Sequence, residues 1–144
     1  MSMSAGAPPP DAQPLFVRLS GEAGIGQILD VQFEHIMADD HLREYFLDVD
    51  LPHLKASLSI FLRVAFGDTR AAYAGPTLHA AHKGQLVTEL AFDTFVDSFV
   101  AAAAETGVDA NSQAAARAVL KSMRASVITE FKPNPAYNYP TQPR

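Results

Sequence analysis

Eight of the ten prolines in this chain fall in its two ends, and the long stretch between them holds only Pro52 and Pro76. Proline lacks the amide N–H and its ring clashes with the preceding helical turn, so a stretch this nearly free of it is open to long helices. Both exceptions stand just after loop-like residues at the front of a helical pattern, where the missing N–H costs nothing. The ends read differently. Residues 1–14, rich in Pro, Ala and Ser, are expected to form a disordered tail, and the Pro-rich residues 132–144 an extended one. That leaves 15–131 as one domain, the commonest outcome for a chain of 144 residues.

Within that domain the apolar residues recur at helical spacing. From Glu22 to Ala38 they fall at Ile25, Ile28, Leu29, Phe33, Ile36 and Met37. In "VDLPHLKASLSIFLRVAFG" a stripe of Leu51, Leu54, Leu58, Phe61, Leu62 and Ala65 ends at Gly67. Thr88 is placed to cap a helix carrying Phe92, Phe95, Val96, Phe99 and Ala103, which Gly107 stops. Asp39 and Asp40 can cap a short turn, and a last helix over 111–131 contributes Val119, Leu120, Met123, Val127 and Ile128. No segment alternates with period two, and no internal repeat, GxGxxG, phosphate loop, HExxH or GxSxG occurs. The expected fold is an all-α bundle of about six helices. Its nine Phe exceed what a core of this size ordinarily needs.

Several function classes drop out. A net charge of −5 with scattered Lys and Arg offers no basic face to a nucleic acid. No apolar run approaches the length of a bilayer span, and no secretion signal is visible. The absence of cysteine removes disulfides, thiolate metal sites and a Cys nucleophile, and suits a reducing cytoplasm. What remains is "YAGPTLHAAHKGQ", where His79 and His82 stand one helical turn apart behind Gly75-Pro76. The residues alone leave two readings open, a metal or cofactor ligand and a pair of surface imidazoles.

The order of landmarks resembles the truncated haemoglobins. The stretch "LFVRLSGEAGIGQILDVQFEHIMADDHLREYF" looks like the opening of that family, with Asp39, Leu42, Tyr45 and Phe46 in its Asp, Leu and aromatic-pair positions. Gly67, Tyr73-Ala74-Gly75 and Ala80-Ala81-His82 match the later glycine, the Tyr-x-Gly turn and the small-small-His segment that supplies the iron ligand. The resemblance covers about residues 15 to 130 and implies a two-over-two helical sandwich around haem b, iron protoporphyrin IX. It implies His82 as the iron ligand, its tautomer fixed by the Leu78 carbonyl, with His79 either at the haem edge or solvated. Phe46 would pack on the porphyrin face. Leu54, Leu58 and Leu62 would line the distal side, and Leu78, Val87, Phe92 and Phe95 the proximal and inner walls. Lys55 and Tyr73 are the implied partners of the propionates, although such residues are more often simply solvated.

Departures from the family sharpen the expectation. The family commonly has Tyr and often Gln where this chain has Phe33 and Leu58, and neither can donate a hydrogen bond to a gas. The adjacent Gln32 is the nearest donor that could swing in, while helical geometry points His35 and His53 away from the pocket. Ser20 and Asp68 interrupt two glycine motifs, and the lack of tryptophan fits the first group of the family. The implied function is reversible binding of O2, NO or CO at a five-coordinate iron in an apolar pocket, for transport, binding or sensing, with ready oxygen release. A haem enzyme such as an NO dioxygenase, or one acting on an apolar substrate, is the alternative. Expected partners are a diatomic gas and a reductase, in a monomer or weak homo-oligomer.

Overall fold

The computed structural model describes residues 12–73 and 87–127. Along the chain run α1 (Leu15–Arg18), α2 (Gly21–Ala38), α3 (Asp40–Arg43), a 3-10 turn (Glu44–Phe46), α4 (Leu51–Ala65), α5 (Glu89–Glu105), α6 (Ala110–Lys121) and α7 (Arg124–Val127). There is no strand among the described residues. α2 packs on α4, α5 packs on α6, and α2 and α5 meet where the two pairs cross. This is the expected all-α, two-over-two arrangement.

Helix starts follow from local chemistry. The Asp39 side chain accepts from the amides of His41 and Leu42, Asp50 from His53, Thr88 from Ala91 and Asp109 from Ser112. Each such cap is worth about 0.5–2 kcal/mol because it satisfies an amide the helix leaves unpaired. Gly67 and Gly107 follow the ends of α4 and α5 at φ of 99° and 97°, the left-handed region that closes a helix cheaply only with glycine.

The α1–α2 corner is tighter. Ser20 sits at φ 70°, an uncommon place for a residue with a Cβ, and its carbonyl accepts from the amide of Gly24 at 3.1 Å. A Cβ on Gly24 would lie 1.9 Å from the Leu19 carbonyl oxygen, so that close approach admits only glycine.

The last helix departs from expectation. It stops at Lys121 and resumes at Arg124, and the Ser122 hydroxyl donates to the Val119 carbonyl at 2.5 Å across the break. That back-bond accompanies the division of the expected 111–131 run into two helices at residues 122–123. The portion beyond 127 lies outside the described residues.

The solid part of the core lies between α2 and α5. Ile25, Ile28, Leu29 and Ile36 of α2 are at most 1% exposed, and Val96, Phe99, Ala102 and Ala103 meet them from α5. Ala102, Ala103 and Ala116 are wholly buried, small side chains that suit close helix approach. Arg63 of α4 ties the bundle's outside together, reaching Glu22 of α2 at 3.2 Å and Asp68 at 3.1 Å.

Candidate functional site

The stripe of α4 does not end on solid core. Leu54, Leu58, Phe61 and Leu62 line a cavity of about 490 Å³. Ala91, Phe92, Phe95, Val96 and Phe99 of α5 form another part of its wall, joined by Leu120, Met123 and Val127 from the chain's last described turns. Leu42, Tyr45 and Phe46 contribute from α3 and the turn after it, and Leu29 and Gln32 from α2. The volume falls within the roughly 300–1,000 Å³ range of small-molecule and cofactor sites, which are mostly apolar with a few placed polar groups.

Most of the expected site residues are brought together here. Phe46, Leu54, Leu58, Leu62, Tyr73, Val87, Phe92 and Phe95 all line the cavity. Leu78, His79 and His82 lie outside the described residues. Tyr73 and Val87, the described residues flanking that segment on either side, both belong to the cavity wall.

Two residues are placed otherwise. Lys55, expected at a propionate, points its ammonium at Asp30 of α2, 2.9 Å away, and is not among the lining residues. On α4 the position next to Leu54 faces the neighbouring helix's exposed carboxylate, and that opposite charge claims the lysine. Phe33, expected at the distal contact, is 3% exposed and stands in the layer behind the wall. Its ring meets Phe46 and Phe95 edge-on at centroid distances of 5.3 and 6.5 Å, so it positions two lining rings and does not itself line the cavity.

The histidines divide as well. His35 bonds Glu105 at 2.5 Å on the exposed side of α2 and α5, as helical geometry requires. His53 lines the cavity, against expectation, together with Ser57 one turn later and Asp50 one turn earlier. These three sit on the flank of the leucine stripe, with Asp50 also serving as the cap of α4. Their sequence signal was the i, i+4 spacing of His53 and Ser57 immediately beside positions 54 and 58. Tyr45 and Gln32 are the other polar lining residues that sequence reasoning did not assign to the wall.

An apolar chamber with aromatic walls and a polar edge fits a flat macrocycle that carries ionised groups at one side. Phe46, Phe92 and Phe95 would hold its faces, and His53, Ser57 and Tyr73 are the hydrogen-bonding groups at hand for its carboxylates. Charged groups elsewhere are held apart from the cavity. Arg124 pairs with Glu89 and Asp93 and lies over the Phe92 ring, 5.1 Å from its centroid, bracing that ring from behind. Asp68 is held below the ordinary carboxylate range: burial pushes it up, and the Arg70 amide and Arg63 guanidinium outweigh that. Asp109 is likewise lowered, chiefly by the Ser112 hydroxyl and amide.

Two crossed helix pairs around an apolar, aromatic-walled chamber are the build of a haem-binding globin. The chain belongs to the bacterial-like globin family, whose profile matches residues 14–129. Among its relatives are the truncated haemoglobins. The group 1 truncated hemoglobin of Tetrahymena pyriformis is 27% identical over 96 residues, covering 67% of this chain and 78% of the relative. The group 1 truncated hemoglobin GlbN of Synechocystis is 31% identical over 99 residues, covering 65% and 78%. In structure the chain superimposes on the Fe(III) form of the Tetrahymena pyriformis protein with a TM-score of 0.77 at 24% identity, over 82% of this chain and 100% of that one. The 2/2 hemoglobin of Synechococcus, solved with covalently attached heme, gives 0.72 at 22% identity over 78% and 94%. Among the described residues no helix is long and apolar enough to cross a membrane.

Proposed function

We propose that the chain holds haem b through His82 and reversibly binds a diatomic gas, O2, NO or CO, for transport, binding or sensing. The observation that carries this is the 490 Å³ chamber whose wall takes in eight of the residues assigned to the haem by resemblance. Haem supplies a metal that takes such gases, and the side chains supply what surrounds it: Phe46, Phe92 and Phe95 pack the macrocycle, and Leu54, Leu58 and Leu62 keep the gas side dry. His79, three positions before His82 in sequence, is proposed for the edge of the group. A dry wall matters because water and side-chain donors compete for the same site and stabilise polar ligands selectively.

The visible spectrum of the purified full-length chain tests this. A strong Soret band is expected in the wild type and is lost or shifted in His82→Ala, with unchanged helix content by circular dichroism. A colourless folded wild-type protein would refute haem binding. Conversely, an unaltered spectrum in the variant would remove His82 from the iron.

NO dioxygenation is the second reading, favoured by one feature: Leu54, Leu58 and Leu62 give α4 an apolar face toward the cavity, and NO oxidation by a bound gas needs no acid or base there. It requires a reductase to restore the iron. Sustained nitrate formation from NO, oxygen and a reductant over many turnovers would distinguish catalysis from carriage.

A further inference from the structure

We infer that the segment leading into α4 is a docking surface for a basic, electron-carrying protein, which meets the cofactor chamber at its open edge. The inference rests on the haem-binding reading above and names a partner of that same site.

The chamber opens on one side. Of its described lining residues only Val49, Asp50 and His53 are exposed, and the others are buried or half-buried. All three fall in the turn before α4 or in its first helical turn. A flat group seated between the aromatic walls therefore comes nearest to the surface here, and electron transfer weakens steeply with distance.

The same edge gathers the chain's charge. Asp39, Asp40, Glu44, Asp48 and Asp50 stand against Arg43 alone, and five carboxylates less one guanidinium leave this stretch at −4 of the chain's net −5. Arg43 is engaged by Asp40 at 3.2 Å, while Glu44, Asp48 and Asp50 are exposed. In their midst Leu47 is 62% exposed and Val49 40%, and Leu47 is the most exposed large apolar side chain among the described residues.

A small apolar centre ringed by charge suits a brief protein contact, in which charge steers the encounter and the apolar centre seats it. Electron-transfer encounters of this kind sit at the small end of protein interfaces. The sign of the charge selects the partner. A second copy of this chain would bring the same carboxylates, and an anionic lipid surface would be repelled too, whereas a face rich in Lys and Arg around an apolar contact is complementary. A partner docked here passes a single electron to the bound group and is itself oxidised by one, with no atom or proton exchanged.

Cytochrome c, a basic haem protein, is the probe. Titrated at low salt into the isotope-labelled, haem-loaded, carbon monoxide form of the full-length chain, it is expected to shift amide resonances of residues 39–53. Raising the salt to about 0.5 M, where charges are screened within a few ångströms, should abolish the shifts. In stopped flow the ferrous protein should reduce ferric cytochrome c by one electron, at a rate that falls about tenfold or more over the same salt range. Glu44→Gln combined with Asp48→Asn is expected to slow that reaction several-fold at low salt. Glu22→Lys changes the net charge equally but near Arg63, roughly 20 Å along α4 from Asp50, and should have little effect. Leu47→Ser should weaken binding while leaving the salt dependence as it was. Equal slowing by Glu22→Lys, a rate insensitive to Glu44 and Asp48, or shifts scattered over the surface would overturn the docking surface. Binding at 39–53 without electron transfer would overturn the assignment of an electron carrier. A wild-type chain that takes up no haem sinks the underlying reading and this inference together, whereas haem uptake with cytochrome c indifferent to these residues sinks this inference alone.

Discussion

Replacing Leu58 with glutamine tests the claim that the gas side of this pocket lacks a donor. Leu58 lies on α4 one turn from Leu54 and one turn from Leu62, and all three line the cavity. A bound oxygen molecule draws negative charge from iron, and a hydrogen bond to a charged acceptor is worth about 1.5–3 kcal/mol. At about 1.4 kcal/mol per factor of ten, the glutamine amide should slow oxygen release by roughly 10- to 150-fold. Carbon monoxide is less polar, so its release should change several-fold less. The substitution costs some stability, since a half-buried leucine gives up about half of the roughly 1.5–3 kcal/mol of full burial, while helix propensity is nearly unchanged. Leu58→Met is the control, apolar and of similar volume. Stopped-flow displacement of oxygen and flash photolysis of carbon monoxide give the two rates. Should both gases slow equally, or should oxygen leave Leu58→Gln as fast as it leaves Leu58→Met, the picture of a donor-free distal wall is wrong.

The remaining expectations concern the shell around the pocket. Phe33→Tyr should also slow oxygen release, by less than Leu58→Gln, because the hydroxyl starts from the layer behind Phe46 and Phe95; an unchanged or faster rate would contradict this. Ser20→Gly should stabilise the fold by about 1 kcal/mol in urea titrations by relieving a left-handed residue, whereas Gly24→Ala should destabilise it because the new Cβ meets the Leu19 carbonyl at 1.9 Å. Asp109 and Asp68 hold protons less readily folded than unfolded, so their stabilisation is complete above the ordinary value of 3.8 and drains away as pH falls through their lowered values. Asp109→Asn keeps a capping side chain while removing one titrating charge, so the fall in stability between about pH 5 and pH 2 should become shallower than in the wild type.

What could be read from sequence was local. Asp39 and Thr88 were legible as caps because a cap bonds an amide two or three positions on. Gly67 and Gly107 were legible as stops for the same reason. Lys55 was not, because its partner Asp30 is 25 positions away and only the crossing of α2 and α4 brings them together. Gln32 was misread as a mobile donor because Phe95 and Ser98, which fix it, lie 63 and 66 positions downstream. His53 escaped because a helical wheel assigns inward and outward faces as if the helix met a flat surface. A cavity reaches around the flank of α4, and the flanking residue becomes part of the wall.

The same limit explains why core and cofactor pocket look alike in the sequence. The stripes of α2 and α4 have equal claims to a core by spacing and composition, yet the structure treats them differently. Ile25, Ile28, Leu29 and Ile36 are sealed at no more than 1% exposure, whereas among the residues of α4 only Leu62 is buried. Leu54, Leu58 and Phe61 stay partly open while packed against the core cluster, because the space they face is a chamber and not another helix. An apolar face turned to a chamber leaves its burial and dispersion contacts to be made with whatever the chamber holds. Rings frame that chamber: Phe33 meets Phe46 and Phe95 edge-on, and Arg124, paired with Glu89 and Asp93, lies over Phe92. The surplus of phenylalanine fits that frame, since flat rigid rings shape the walls of a chamber that leucines on α4 only line.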